Sequence, residues 1–226
     1  MKKLYLLSIL TIFALLLTGC FALQEAEESS GAAVAPTLEA AAADSQSASG
    51  TVYTIDAAQS EARFYIDEVL RGSDFQVVGV TNNVAGQVSL DANNPAATQI
   101  GEIVINARDF VTDSDFRNNA IRNRILLTDS YEYVTFTPKE LVGLPDSIAV
   151  GESYDFQIVG DLTIVGQTKE VTFAATVTLA SATELQGTAT TIITYADWGI
   201  SVPLSEAVTA VADEVTLELN FVAVAQ

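Results

Sequence analysis

Histidine is absent from this chain of 226 residues, and cysteine and tryptophan occur once each. The chain therefore lacks the usual pairs of base and nucleophile and the usual ligands of zinc. We predict no metal, no cofactor and no enzymatic activity, with paired carboxylates left open as the only catalytic alternative. A single cysteine also excludes disulfide bonds within the chain.

Positive charge is scarce as well. Ten lysines and arginines stand against 29 aspartates and glutamates, and the formal net charge is −19. Nucleic acids and anionic bilayer surfaces are bound through clusters of cations. We therefore predict no nucleic-acid partner and no electrostatic attachment to a membrane.

The N-terminal hydrophobic run, Leu4 to Leu17, is shorter than the roughly 20 residues that a membrane-spanning helix needs. It follows Met1-Lys2-Lys3, which is typical of an export signal. The run ends in Leu17-Thr18-Gly19-Cys20, which resembles a bacterial lipobox, where the signal is cut before a cysteine that becomes diacylated. The alternative is an ordinary signal peptide that leaves a free thiol at Cys20.

We therefore predict a lipoprotein signal peptide at 1–19 and acylation of Cys20. Removal of the signal takes away Lys2 and Lys3 and no acid, so the net charge of −19 becomes −21 in the mature chain. The expected location is the cell envelope, with the protein lipid-anchored to a membrane on its periplasmic or extracellular face.

Residues 20–50 are predicted to form the acylated cysteine and a disordered tether. The segment is a low-complexity run of alanine, serine, glutamate and glycine with few sizeable apolar residues, so it cannot build a core. A flexible linker of this length has a root-mean-square reach on the order of 30 Å. The folded domain is predicted at 51–226.

The clearest hairpin lies within Phe156 to Leu179. Gly166 and Gln167 separate two runs rich in β-branched residues, and a glycine in the first central position suits a type II′ turn. In that register the numbers of facing residues add up to 333, so that Leu162 faces Val171. One face of the hairpin is then apolar and must cover a core or line a cavity.

Apolar and polar residues alternate from Thr51 to Val224, which predicts about eight antiparallel strands. Gly79, with Asn82 and Asn83, indicates a bend in a long curved strand, and Pro138 is expected to end another. Many short strands favour a closed up-and-down barrel or a sandwich. An eight-stranded barrel is the size that can hold one small ligand.

A helical period is found only in residues 114–127, where Phe116, Ala120 and Ile121 suit a short amphipathic helix. Asp113 or Ser114 is the expected N-cap. This is the only helix predicted inside the domain.

Six motifs, in chain order, resemble those of the YceI-like family. They are Tyr53-Thr54-Ile55-Asp56 leading into 60–64, Asp74-Phe75, the segment 105–116, Tyr131-Glu132-Tyr133-Val134-Thr135-Phe136, the segment 160–166 and Asp197-Trp198-Gly199-Ile200. The resemblance implies an all-β, lipocalin-like antiparallel eight-stranded β-barrel that binds polyisoprenoids and other long amphiphiles. The histidines that are common in the family are missing, and Tyr65, Asp67 and Val165 stand near their places.

The inward-facing apolar residues either line a ligand channel or fill a solid core, and periodicity does not separate the two. The resemblance favours the channel. The predicted lipid-binding residues are Phe64, Ile66, Phe75, Val77, Phe156, Ile158, Leu162, Phe173 and Phe221. Trp198 is expected to pack as a plug at the base of the barrel rather than to stack in the cavity.

The predicted function is to sequester or transport a long apolar ligand, such as a polyisoprenoid, a quinone or a fatty-acid derivative, in the barrel interior. The alternative is a solid-core barrel that acts as a protein–protein interaction module in the cell envelope. The sequence does not decide whether the protein forms a homodimer.

Half of the eight basic residues after the signal lie close together, at Arg108, Arg117, Arg122 and Arg124. Arginine matches phosphate oxygens with paired donors, so Arg117 and Arg122 are weak candidates for contact with a ligand headgroup. Ion pairing with nearby aspartates is the favoured alternative.

Asp109, Asp113 and Asp115 are the densest acidic group in the same region. Their spacing misses the Ca²⁺-binding loop pattern, which also needs a glycine and a terminal glutamate. We therefore favour a helix cap and solvated acids, which are stabilising at the start of a helix.

Overall fold

The computed structural model describes residues 31–35 and 50–226. The predicted signal peptide, Cys20 and most of the predicted tether lie outside the described residues. Among the residues that are described, no helix is long and apolar enough to cross a membrane.

Strands dominate the described chain. They are β1 (Thr51–Ile55), β2 (Glu61–Leu70), β3 (Ser73–Thr81), β4 (Val84–Ala85), β5 (Gln87–Leu90), β6 (Gln99–Ile100), β7 (Ile103–Asn106), β8 (Tyr133–Val142), β9 (Ser153–Ile164), β10 (Gln167–Ser181), β11 (Glu184–Thr194), β12 (Val208–Val211) and β13 (Glu214–Ala225). Helix α1 (Asp115–Ala120) continues into a π-helical turn (Ile121–Ile125), and 3₁₀ turns lie at Ala57–Gln59, Pro95–Ala97, Ala107–Asp109 and Tyr195–Trp198.

Short breaks divide four longer runs, so that the strands build eight antiparallel runs. β1 and β2 form the first run, β3 to β5 the second and β6 with β7 the third; β8, β9, β10 and β11 are single strands, and β12 with β13 forms the last run. Each run pairs with the next, from β7–β8 through β11–β13. β13 then pairs with both β1 and β2, which closes the ring. The predicted eight-stranded antiparallel barrel with one short α-helix is confirmed.

The barrel has two different ends. At one end β7 stops and β8 starts, and the chain between them carries α1; the β9–β10 turn and the segment 195–207 lie at the same end. We call this the helix end. The other end, the loop end, carries the connections 91–98 and 143–152 and the start of the barrel at Thr51.

The hairpin register differs from the prediction by one turn position. Gln167 pairs with Ile164, and Leu162 faces Lys169 rather than Val171, so the turn residues are Val165 and Gly166. Both have positive φ, 49° and 70°, as a type I′ turn requires. A β-branched residue such as Val165 is disfavoured at a positive φ, which is why the sequence predicted a turn with Gly166 in its first central position. Each residue of β9 therefore pairs two positions away from its predicted partner on β10. Because side chains alternate with a period of two, the predicted inward faces are unchanged.

The expectation that Pro138 ends a strand is wrong, because β8 runs on to Val142. The β8–β9 register shifts between Pro138 and Glu140, which marks a bulge. A bulge leaves one residue out of the ladder and so tolerates a residue without an N–H group.

The predicted helix is present but shorter, and Ser114 is its N-cap, accepting a hydrogen bond from the backbone N–H of Arg117. Phe116 does not join an apolar face as predicted, since it is 81% exposed. The bend expected near Gly79, Asn82 and Asn83 is found where β3 ends at Thr81 and β4 begins at Val84.

Candidate functional site: the barrel cavity

The interior of the barrel holds a cavity of about 980 Å³. Three alanines, Ala62, Ala175 and Ala189, lie on its wall, so opposite walls do not meet. The volume lies at the upper end of the range that is usual for small-molecule sites. Among the described residues, the interior of this barrel is therefore hollow, which counts against a solid core.

Aromatic rings on the cavity wall pack in pairs against one another. Phe136 and Phe173 pack edge to face with ring centroids 4.8 Å apart, and Phe64 packs in the same way on Phe110 at 5.3 Å. Gly79 makes room for Phe64, because a Cβ atom at that position would stand 2.0 Å from the ring.

Eight of the nine predicted lipid-binding residues line this cavity: Phe64, Ile66, Val77, Phe156, Ile158, Leu162, Phe173 and Phe221. Phe75 is the exception. Its ring lies under the guanidinium group of Arg117, with the central carbon 5.6 Å from the ring centroid. The alternation along β3 placed Phe75 in phase with Val77, which lines the cavity. Near the start of β3, however, Arg117 of α1 covers the Phe75 ring.

The cavity reaches the surface at the helix end, where Glu68 and Arg117 form a charged pair on its lining. Arg117 Nη2 lies 2.8 Å from Glu68 Oε1, and the Glu68 side chain is largely buried. Arg117 Nη1 also pairs with Asp113. Because two carboxylates take up its donors, Arg117 is held by ion pairs, as the favoured alternative predicted.

Arg122 is not part of the cavity lining, so its predicted place beside a headgroup is wrong. Its Nε donates to the carbonyl of Asn118 at 3.3 Å, which holds the side chain along its own helix. Arg71 and Arg124, by contrast, line the mouth and are exposed. No ion pair joins either of these two to another residue of the described chain.

Glu68 and Arg71 were missed by the sequence analysis, and Arg124 was noted in the basic cluster but not chosen as a headgroup candidate. Glu68 lies on β2 in phase with the inward residues Ala62, Phe64 and Ile66, so the alternation itself could have found it. Nothing local in the sequence marks Arg71, because loop and helix packing bring it to the same opening as Arg124.

Trp198 is buried, at 3% exposure, and is not part of the cavity lining. Its Nε1 donates to the carbonyl of Leu162 at 3.2 Å. A packing role is confirmed, but Trp198 follows β11 at the helix end and does not plug the opposite end as predicted.

The predicted acidic group is dispersed into separate contacts. Asp113 pairs with Arg117, whereas Asp109 accepts a hydrogen bond from Asn83 Nδ2 at 2.6 Å. Arg108 pairs with Asp129 at 2.6 Å. In the part of the chain that the structure describes, no group of three or more cysteine, aspartate or glutamate side chains is placed to hold a metal ion.

Five residues of the predicted tether, Gly31 to Ala35, lie against the outside of the barrel. Gly31 N donates to Glu132 Oε1 at 2.9 Å, and Gly31 O accepts from Asn83 Nδ2 at 3.0 Å. Ala33 N donates to Asn83 Oδ1 at 2.6 Å. The tether is thus held at one point, which its composition did not predict.

A comparison with protein families matches residues 53–223 to the YceI-like domain. The chain belongs to the YceI-like family. This family is a binding-protein fold, and the match covers the whole ring of strands. No curated protein matches the chain.

Solved structures of the same fold include three bacterial proteins. A polyisoprenoid binding domain from Saccharophagus degradans, implicated in plant cell wall breakdown, is 19% identical with a TM-score of 0.60, over 78% of this chain and 99% of that one. BcnA of Burkholderia cenocepacia is 20% identical with a TM-score of 0.59, over 74% and 98%. The Campylobacter jejuni YCEI protein is 16% identical with a TM-score of 0.51, over 63% and 81%. At these identities the likeness establishes the fold alone.

The residues near the places of the missing family histidines do not line the cavity. Tyr65 is on the outer face, where its hydroxyl donates to Glu218 Oε1 at 3.0 Å. Asp67 accepts from Gln76 Nε2 at 3.0 Å, and Val165 is in the β9–β10 turn. The cavity wall of this YceI-like chain is therefore mostly apolar, and the charged residues Arg63 and Glu218 line it in addition to those at the mouth.

Proposed function

We propose that this protein binds one long apolar or amphiphilic molecule, such as a polyisoprenoid, a quinone or a fatty-acid derivative, inside its barrel. The observation that carries the proposal is the hollow interior of about 980 Å³. Apolar side chains cover almost all of its wall, so a ligand that leaves water for the cavity gains about 25 cal/mol for each Å² of apolar surface it buries.

The mouth gives the ligand a direction. The charged residues Glu68, Arg71, Arg117 and Arg124 line the opening at the helix end, whereas Leu179 and Leu185 line the cavity near the loop end. A polar headgroup stays hydrated beside the charges, and the apolar chain extends inward. Arg71 and Arg124 are better placed to meet a headgroup than Arg117, because their donors are not taken up by carboxylates.

Binding is the activity proposed, and no bond is made or broken. Glu68, the buried carboxylate at the mouth, is held by Arg117 as an ion pair. Two further carboxylates line the cavity: Glu218 accepts hydrogen bonds from Tyr65 and Asn220, and Asp113 pairs with Arg117. The expected acylation of Cys20 would keep the barrel beside a membrane in the cell envelope, where such ligands are found. Sequestration and transport are both served by reversible burial.

A matched pair of substitutions on β10 tests the proposal. Ala175 lines the cavity, whereas its neighbour Ala174 is exposed on the outer face. Ala175→Trp should place an indole in the ligand space and weaken the binding of a fluorescent polyene fatty acid at least about tenfold, a loss of about 1.4 kcal/mol. Ala174→Trp should leave the affinity unchanged.

Circular dichroism on both variants checks that the barrel is intact. Equal binding by the two variants, or binding by neither the variants nor the parent chain, would contradict an interior site. Saturation at one fatty acid per chain in the parent protein is the expected stoichiometry.

A further inference from the structure

We propose that the helix end of the barrel, with the cavity mouth, faces the bilayer that anchors the chain, because residues 31–35 are bound to the barrel at that end. The inference rests on the proposed function in one respect, the attachment of Cys20 to lipid. It adds an orientation that neither the family nor the cavity supplies.

The receptor for this segment is a notch formed by Asn83, Asn106 and Glu132. Asn106 is fully buried and its Nδ2 donates both to Gly31 O, at 2.5 Å, and to Glu132 Oε1, at 2.8 Å. Asn83 offers an acceptor to Ala33 N and a donor to Gly31 O. The notch thus binds the backbone N–H and C=O groups of the segment with matched acceptors and donors, as a neighbouring strand would.

Gly31 lies in close contact with two side chains of the notch region. A Cβ atom there would stand 2.6 Å from the Tyr133 hydroxyl and 3.2 Å from Glu132 Oε1. The next residue, Ala32, is exposed. A side chain at position 31 would therefore displace Tyr133 or Glu132, whose carboxylate accepts from Gly31 N, whereas a side chain at position 32 would not.

The notch lies at the helix end, since Asn106 ends β7 and Glu132 precedes β8. Eleven residues lead from Cys20 to Gly31, and fully extended they span at most about 40 Å. Thirty residues lead from Cys20 to Gly50 at the loop end, with a limit of about 100 Å. Binding in the notch therefore limits the anchor to within about 40 Å of the helix end, compared with about 100 Å from Gly50 without it.

The rim at this end suits a lipid surface. Phe116 and Leu204, which line the mouth, are 81% and 60% exposed. Arg71 and Arg124 stand beside the same opening in a chain of net charge −19. Apolar side chains and arginines at one rim favour contact with headgroups and the first acyl carbons.

Coupling to vesicles through Cys20 tests the orientation without relying on natural acylation. The chain 20–226 contains every strand of the ring and a single thiol, so maleimide-bearing lipids in phosphatidylcholine vesicles attach it at one point. Hydrogen exchange followed by mass spectrometry then compares the coupled and free chains. We expect exchange at 113–126 and 199–208 to slow at least about threefold, with no change at 91–98 and 143–152.

Gly31→Val should release the segment, speed exchange at 31–35 and remove the protection of the helix end. Ala32→Val is the matched control and should change neither. Because both substitutions lie outside the barrel, misfolding does not confuse the result. Protection of the loop end, equal protection of both ends, or identical behaviour of the two variants would overturn the proposal.

Two other measurements test the proposed function independently of the orientation. Fatty-acid binding by the uncoupled chain reports on the cavity, and the mass of Cys20 in the exported protein reports on acylation. Neither readout depends on the notch, so a wrong orientation and an empty barrel give different results.

Discussion

The two ends of this barrel are closed in different ways. At the loop end, backbone hydrogen bonds join the connections, from Ile148 N to Ala92 O at 2.9 Å and from Gly151 N to Leu179 O at 2.8 Å. At the helix end, Val80 and Val111 exchange two backbone hydrogen bonds, but α1, which follows them, is held to the wall by side chains, chiefly by Arg117 to Glu68. Side-chain contacts part at lower cost than a linked set of backbone bonds, so the helix end is the natural entrance for a ligand.

The largest difference should come from truncating one apolar residue at each end. Leu185, at the loop end, is buried, and Leu185→Ala should lower the free energy of unfolding by about 2 to 3 kcal/mol. Phe116→Ala, at the exposed rim, should change it by less than about 0.5 kcal/mol. Urea denaturation measures both, and a similar loss in the two variants would mean that the rim is packed as tightly as the loop end.

The charged pair at the entrance gives the next largest effect. Arg117→Met leaves Glu68 buried without its partner and should cost about 2 kcal/mol, less than for a fully buried pair because the site is at the rim. Changing both residues to methionine should restore most of the loss.

Asp113→Asn is the control for this pair, since the Asp113 side chain is exposed and should contribute less than about 0.5 kcal/mol. A double variant no more stable than Arg117→Met alone would show that the residues do not depend on each other.

The smallest predicted change in stability comes from Tyr53, which lies at the loop end. Its hydroxyl donates to Ala182 O at 3.0 Å, so Tyr53→Phe should lower the free energy of unfolding by about 1 kcal/mol.

Burial raises the pKa of Tyr53 above its usual value of about 10. The unfolded chain therefore ionises first, and stability falls as the pH rises above about 10. The parent should lose more than Tyr53→Phe over that range, as thermal unfolding at several pH values would measure, and parallel losses would contradict this cause.

The sequence predicted the strands and their inward faces because alternation is a local property, and the family resemblance favoured a barrel over a sandwich. Along β2, the residues Ala62, Phe64 and Ile66 recur at every second position, and one strand suffices to read this pattern. The hairpin face was predicted for the same reason. The turn itself was not, since Val165 adopts a positive φ that only the closed barrel stabilises.

The hollow interior could not be read from any one strand. Whether Phe173 meets the opposite wall depends on the barrel diameter, which follows from strand number and stagger over the whole ring. The notch has the same character, because Gly31, Asn83, Asn106 and Glu132 are distant in sequence and meet only after closure. The family resemblance, not the periodicity, favoured a channel.

Native mass spectrometry of the protein isolated from its own cell envelope tests the central claim most directly. We expect a complex of one chain with one long apolar or amphiphilic molecule, which activation in the gas phase or extraction with organic solvent releases. A chain that carries no such molecule, and takes up none when mixed with polyprenols, quinones or fatty acids, would contradict a ligand-binding interior.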